Sequence, residues 1–328
     1  MLTKRNMILT GMAILAPLPA RAAPVAVPLS FDDRNRPCLD ATINGHGPYR
    51  FLFSTGAFTN TLNWNVADSL GLKRVGKVRD ALLGNQSVSP GRIDASRDYV
   101  ADEVVLGGVY RMTDVGFSGY APSHPEDDTN LSKRKGIMGS PLVTGDPCLI
   151  DFDNNQILFY PGAAPDTTGF APAQTQIWRS AKPFADLEID ITLRHGGEAL
   201  KCIMDTAGEA ELYLASKHVK ALGLYGGLTA GDYVERPLDW DHPERGTIRV
   251  IRVRDFSLAG AHFDIINVWL GDPENNDKLD EIDVTAVVSG LMLRQFNIAF
   301  NGRGKVLMKP NSRFKAVSDP LPAKPVTP

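Results

Sequence analysis

The chain repeats itself once, and this constrains the fold more than any other feature, because a duplicated segment must be built as two copies of one unit. The first copy runs Tyr49-Arg50-Phe51-Leu52-Phe53-Ser54-Thr55-Gly56-Ala57, then Thr61-Leu62, then Ala67-Asp68-Ser69-Leu70-Gly71-Leu72. The second runs Leu200-Lys201-Cys202-Ile203-Met204-Asp205-Thr206-Ala207-Gly208, then Leu212-Tyr213-Leu214, then Val219-Lys220-Ala221-Leu222-Gly223-Leu224. Each reads as an apolar strand, a small-residue turn, a short strand and a brief helix capped by the glycine of Leu-Gly-Leu. Each opens on an alternating hairpin with its turn at Asn44-Gly45 or Gly196-Gly197. Each closes on a Gly-containing segment, Gly136-Ile137-Met138-Gly139 or Val288-Ser289-Gly290-Leu291, followed by two more strands. Three landmarks in one order at similar spacing predict two similar β-rich lobes.

Composition agrees. The 30 glycines and 23 prolines among 328 residues favour many turns and short strands. Lys and Arg total 35 against 38 Asp and Glu, so there is no basic excess to bind nucleic acid. Lys4 and Arg5 precede an apolar run from Met7 to Leu18, and Ala20-Arg21-Ala22 follows. That pattern reads as a secretory signal peptide over residues 1–22, cleaved before Ala23. The run is too short for a bilayer span and is broken by Gly11, Pro17 and Pro19. The expected product is a soluble periplasmic or secreted protein with no membrane span. In an oxidising compartment Cys38 and Cys148 are available to pair, leaving Cys202; three unpaired buried cysteines are the other arrangement. The stretch Pro161 to Gln176 reads as the join between lobes, and the segment from Ser318 to Pro328 as an unstructured Pro-rich tail.

A family is identifiable at the repeated turn. Phe51-Leu52-Phe53-Ser54-Thr55-Gly56-Ala57 and Cys202-Ile203-Met204-Asp205-Thr206-Ala207-Gly208 resemble the two catalytic turns of the pepsin and retropepsin-like aspartic peptidases. Gly136 to Gly139 and Val288 to Leu291 look like the segments that thread behind those turns. The resemblance implies an all-β acid-protease fold of two β-barrel lobes, residues 23–165 and 166–312, before a tail over 313–328. It also implies a monomer, no cofactor, no metal, and a peptide or protein held in the cleft between the lobes.

The family carries an aspartate in each turn, and this chain has Ser54 and Asp205. The second turn reads Thr206-Ala207-Gly208 where the family prefers Thr-Gly-Ala or Thr-Gly-Ser. Thr55 and Thr206 are kept, and in the family these hydroxyls hold the two turns together, so the supporting set is Thr55, Thr206, Gly56 and Ala207. The chemistry needs two carboxylates sharing one proton, one to take a proton from water and one to donate toward the substrate carbonyl. Without a like-charged neighbour Asp205 is expected to titrate near an ordinary carboxylate, and the Ser54 hydroxyl is a poor acid. The favoured reading is an impaired member that binds an extended peptide or a protein partner. The alternative is an active endopeptidase using Asp205 with a nonstandard helper. Glu209 and Glu211 lie just past the second turn but strand alternation directs them elsewhere, and Asp40 and Asp68 read as surface residues.

Other chemistries have less support. The six histidines, His46, His124, His195, His218, His242 and His262, show no H-E-x-x-H spacing, and no G-x-S-x-G is present. In the family a hairpin flap covers the substrate; Leu83-Gly84-Asn85 is the candidate here, without the flap tyrosine of pepsin-like members, and an ordinary surface hairpin is the other reading. The longer Gly226 to Arg245 segment, with Tyr233, Trp240 and His242, is expected to line or block the cleft.

Overall fold

Each copy of the repeat folds into the same eight-stranded sheet. The computed structural model describes residues 23–75, 93–120, 134–173, 176–179, 187–195, 198–221, 223–224, 226, 228–229, 231–237, 246–272, 284–302 and 305–320. In the first lobe the strand order is Ser30–Phe31, Pro37–Ile43, His46–Phe53, Gly136–Met138, Thr61–Asn63, Tyr110–Tyr120, Ile93–Leu106, Lys73–Val75. In the second it is Gln176–Arg179, Leu187–His195, Glu198–Asp205, Ala286–Ser289, Leu212–Leu214, Ala261–Leu270, Thr247–Leu258, Tyr233–Pro237. Pairing of Pro37–Ile43 with Ile93–Leu106, and of Leu187–His195 with Thr247–Leu258, turns each sheet back on itself. The two-lobed, all-β pepsin/retropepsin-like fold expected from the repeat is the fold observed.

The local signals act as the sequence implies. Asn44 and Gly45 take positive φ angles of 47° and 80°, which the two-residue hairpin turn requires and which cost glycine nothing. The helices Trp64–Ser69 and Ser216–Ala221 both stop at a left-handed glycine, Gly71 and Gly223. Alternating apolar residues bury Phe51, Phe53, Tyr99 and Phe117 in the first lobe and Phe263, Phe296 and Phe300 in the second. Each such ring contributes about 1.5–3 kcal/mol by leaving water, and those sums hold sheets whose turns alone would not.

A third sheet joins the lobes. Its order is Val25–Pro28, Gln156–Phe159, Cys148–Asp151, Phe296–Phe300, Val306–Pro310, Ala171–Pro172. The first-lobe strand Cys148–Asp151 pairs with the second-lobe strand Phe296–Phe300, Cys148 opposite Phe300. The lobes are therefore hydrogen-bonded to one another and cannot separate without breaking a ladder. The segment read as the join contributes a strand to this sheet: Ala171–Pro172 pairs with Leu307 and Met308.

Of the two cysteine arrangements, the structure shows the one without a bridge: none of the three forms a disulfide and all are buried, Cys148 in the joining sheet and Cys38 at the lobe interface. One expectation needs correction. The start of the tail is packed as far as Ser318. Phe314 meets Phe263 at a ring separation of 5.1 Å, and Ser318, 4% exposed, donates its hydroxyl to Glu211 at 2.6 Å. An aromatic anchor and a buried carboxylate in need of donors hold the residues that precede the prolines. Residues 1–22, read as the signal peptide, and residues 321–328 lie outside the described residues.

Candidate active site

The strand His46–Phe53 delivers Ser54, and Glu198–Asp205 delivers Asp205, to the meeting point of the lobes. In each lobe a strand from far along the chain passes between two neighbours. Gly136–Met138 lies parallel to the strand ending at Phe53 and antiparallel to Thr61–Asn63, and Ala286–Ser289 does the same against Asp205 and Leu212–Leu214. The Ser54 N–H donates to the Met138 carbonyl at 3.0 Å, so the threaded strand fixes the height of the turn.

The two threonines cross-link the turns. The Thr55 N–H donates to Thr206 Oγ1 and the Thr206 N–H to Thr55 Oγ1, each at 3.1 Å. The Thr55 hydroxyl donates to the Met204 carbonyl at 2.8 Å, and the Thr206 hydroxyl to the Phe53 carbonyl at 3.1 Å. Both side chains are fully buried, and every bond crosses between lobes. Ser54 and Asp205, 151 residues apart, are thereby held in contact: the Ser54 hydroxyl donates to Asp205 Oδ1 at 2.7 Å. Oδ1 also accepts from the Ala207 N–H at 3.0 Å, while Ser54 Oγ accepts from the Ala57 N–H at 3.2 Å. Gly56 lets the turns close in, since a Cβ there would lie 2.6 Å from Asp205 Cβ. Ala207 is buried against Cys38, Leu52 and Ile137 of the other lobe.

Asp205 does not titrate as an ordinary carboxylate. Burial raises its pKa above 3.8, against the lowering effect of the Ser54 hydroxyl and the N–H groups of Ala207, Gly56 and Gly208. Loss of a like-charged neighbour removes one upward influence, but the enclosed turn supplies a larger one. A carboxyl raised in the fold favours folding when protonated; this contribution is full below the ordinary aspartate range and is lost as pH rises through the raised value. Asn at this position keeps an Oδ1 acceptor and removes the titration. Asp205→Asn should therefore melt above wild type at about pH 7, with the gap closing as pH falls toward about 4. Melting curves across that range check the sign, and a gap independent of pH would assign the effect to something other than this proton.

The remaining candidates are placed as follows. Glu209 turns away to Arg34 and Arg36 at 3.3 and 3.2 Å. Glu211 is buried with Oε2 accepting from the Asn267 N–H and the Ser318 hydroxyl, both at 2.6 Å, and burial raises its pKa. Asp40 is exposed, and Asp68, also exposed, binds Arg74 and the Tyr99 hydroxyl. None of these carboxylates stands in for a second aspartate. The flap candidates Leu83, Gly84 and Asn85 lie outside the described residues, as do Trp240 and His242. Tyr233 begins a strand pairing with Thr247–Ile251, in the position that Lys73–Val75 holds in the first lobe. Sequence reasoning missed the ion pairs of Arg34 and Arg36 with Glu209, which join residues far apart in the chain and leave no local signal.

Comparisons with known proteins bear on the first lobe and on the fold. Residues 39–142 match the family model described as aspartyl protease. No curated protein matches the chain. Among solved structures the chain is similar to edgp, with a TM-score of 0.51, 11% identity, and 91% of this chain and 99% of that chain covered. It is also similar to the aspartic proteinase from Irpex lacteus, with a TM-score of 0.46, 12% identity, and 88% and 98% covered. For Basic 7S globulin from soybean the values are 0.46, 10%, and 88% and 94%. Over residues 39–142 the first lobe matches the aspartyl protease family, and the chain as a whole has the two-lobed, pepsin-like fold.

Proposed function

We propose that the protein is exported and holds an extended peptide, or an extended segment of a protein partner, in the cleft between its lobes, with little or no peptidase activity. The observation that carries this reading is the 2.7 Å bond from the Ser54 hydroxyl to Asp205. A working dyad is at once acid and base because two carboxylates share one proton. Here a single group titrates in the working range. When Asp205 is ionised it accepts the Ser54 hydrogen bond, and no acid faces the carbonyl; when it is protonated, no base remains for water. Losing a positioned acid costs about 10²–10⁴ in rate. The cross-linked turns meanwhile keep the lobes in register, which is what an extended ligand pairing with strand edges requires. Both turns come from one chain, so a monomer suffices. Export rests on the basic and apolar run before Ala23. Among the described residues no helix is long and apolar enough to cross a membrane.

The test is incubation of the mature chain with a diverse peptide mixture from about pH 3 to 8, a span covering ordinary and raised carboxyl pKa values, read by mass spectrometry. Asp205→Asn serves as the control. The expected result is no cleavage above that control. Cleavage that disappears in Asp205→Asn would make the protein an endopeptidase with a modified dyad and overturn the reading.

A further inference from the structure

The second catalytic turn is tied to the C-terminal segment of the chain. Beyond the strand Val306–Pro310, residues 314–318 form a strap along one edge of the strand Ala261–Leu270, whose other edge is filled by Thr247–Leu258. The Ala316 carbonyl accepts from the N–H groups of Asp264 and Ile265 at 2.7 and 3.2 Å, and the Ser318 N–H donates to the Ile265 carbonyl at 2.9 Å. Val317 lies parallel to Ile265, and a little farther on Leu212–Leu214 pairs in parallel with residues 268–270. The strap thus continues the line of Leu212–Leu214, and Glu211 stands at the gap between them. Its Oε2 accepts from the Ser318 hydroxyl and the Asn267 N–H, both at 2.6 Å, and its Oε1 from Asn267 Nδ2 at 3.4 Å. That Nδ2 also donates to the Asp319 carbonyl at 3.2 Å. On the other side the Glu211 carbonyl accepts from the Ser289 N–H at 2.9 Å, and Ser289 pairs with Asp205. One residue therefore joins the strap to the strand that flanks the dyad.

The first turn is anchored differently. Asn60 stands six residues past Ser54, as Glu211 stands six past Asp205. The Asn60 Oδ1 accepts from the Gly139 N–H at 2.9 Å, and its Nδ2 donates to the Gly116 carbonyl at 3.3 Å. Both partners belong to the first lobe, and an amide does not titrate. Gly139 follows Met138, which pairs with Phe53, and its match Ser289 follows Val288, which pairs with Met204. The Ser289 N–H is served by the Glu211 backbone instead of its side chain, so the Glu211 carboxyl is free to leave the turn and meet the strap.

We infer that Glu211 is a latch on the second catalytic turn: carrying a proton it holds the strap of residues 314–318 in place, and ionised it lets the strap and the turn loosen together. This device goes beyond the cleft-binding role and does not depend on it. Glu211 is 8% exposed and Ser318 4%, and among the described residues Glu211 meets neutral donors and no cation in ion-pair contact. A buried carboxylate without a counter-charge is costly. The charged groups of the strap and its neighbours are Arg252, which donates to the Ser318 carbonyl at 3.0 Å, and Asp319, which Lys315 meets at 2.7 Å. Asp264 turns to His262, Glu209 turns to Arg34 and Arg36, and the threaded strand Ala286–Ser289 carries no charge. Burial raises the Glu211 pKa and the Asp319 carboxylate adds to the rise, against the lowering effect of Ser318 and Asn267. The protonated form also has an acceptor at hand. Asn267 Oδ1, on the amide that Glu211 Oε1 faces, is buried and has no hydrogen-bond partner among the described residues. A carboxyl raised in the fold contributes stability in full below the ordinary glutamate range and loses it as pH rises through the raised value, so the latch closes in acid and opens toward neutral pH.

The test is hydrogen exchange of the mature chain, read as protection factors so that the intrinsic pH dependence of exchange drops out. In wild type the amides of residues 264–267 and 316–318 should lose about threefold or more of their protection between about pH 4 and 8. Glu211→Gln keeps an oxygen for Ser318 and the Asn267 N–H, and its Nε2 can donate to Asn267 Oδ1, so it stands for the protonated latch at every pH. Its protection should stay at the acid value throughout. Asp205 still titrates in that variant, so the pH dependence it loses belongs to Glu211. At about pH 5, Ser318→Ala should lower protection over residues 205–211 about tenfold and leave residues 54–60 unchanged. A chain ending at Phe314 keeps the ring against Phe263 and should do the same, which guards against a defect peculiar to the point variant. A wild-type profile flat in pH, or the same slope in Glu211→Gln, would overturn the latch. Equal loosening of both turns, or none at the second, would overturn its hold on the catalytic turn. None of these readouts involves a peptide, so the cleft-binding role fails or stands separately.

Discussion

Ser54→Asp alone should leave the protein close to inert, whereas Ser54→Asp with Ala207→Gly should raise acid-pH peptide hydrolysis by about 10²–10⁴ over wild type. The reason is steric and follows from the pseudo-dyad. Gly56 stands two residues past Ser54, and a Cβ there would lie 2.6 Å from Asp205 Cβ, 2.7 Å from its Cγ and 3.0 Å from its Oδ1. Ala207 stands two residues past Asp205, the place Gly56 holds in the first turn, and a side chain enlarged at residue 54 is expected to meet its methyl. A serine offers that methyl one oxygen. An aspartate adds a Cγ and a second oxygen in the most crowded direction, and the methyl is already enclosed by Cys38, Leu52 and Ile137. Overpacking of this kind costs about 1–3 kcal/mol and displaces the group that causes it, which is fatal to a shared proton. Serine at 54 and alanine at 207 are thus a matched pair. With glycine at 207 two carboxylates can approach, their pKa values separate, and acid and base coexist again. Cleavage of a peptide mixture measures this, with Asp205→Asn on the double variant restoring inertness. Equal activity of Ser54→Asp with and without the glycine would refute the pairing. A double variant that folds and stays inert would place the loss in the cleft walls as well as in the dyad.

What the sequence conveys about this site, and what it does not, divides by the range of the interactions. Strand, turn, helix and capping glycine recur locally, so Ser54 and Asp205 are legible as a pair before any coordinates. Thr55 and Thr206 are legible as partners once the turns are aligned, because their roles are symmetric. Ala207 is visible as a departure from the family pattern, but the side chains it is buried against, Cys38, Leu52 and Ile137, belong to the other lobe. The same holds for Glu209. Its position after the turn draws attention, yet its partners Arg34 and Arg36 precede it by about half the chain. The raised pKa of Asp205 was unreadable for a different reason: charge neighbours can be counted along a sequence, and depth of burial cannot. The start of the tail misleads because Phe314 and Ser318 dock on partners assembled by folding, which the composition of the segment does not reveal.

Thr55→Val should be among the most destabilising shape-conserving substitutions at this site, and its effect should surface in the opposite lobe. Valine keeps the branched shape and loses the hydroxyl, leaving the Thr206 N–H and the Met204 carbonyl buried and unpaired. At about 1–3 kcal/mol for each abandoned group, the cost is on the order of 2–6 kcal/mol. Thr206→Val should do the same to the Thr55 N–H and the Phe53 carbonyl. The four bonds form one network, so the double variant should lose less than the sum of the two. Thermal melting gives the magnitude, and hydrogen exchange gives the direction. Thr55→Val should expose amides of residues 204–206, in the second lobe, and Thr206→Val those of 53–55, in the first. Exchange that rises only in the mutated lobe would refute the cross-link. Ser54→Ala removes the bond to the partly exposed Asp205 and the one accepted from the Ala57 N–H, which keeps the Ser54 carbonyl at 3.3 Å, and should cost less. Stability at this junction therefore resides in the threonines that align the turns more than in the serine and aspartate they present, which lets the alignment of the lobes outlast the chemistry of the dyad.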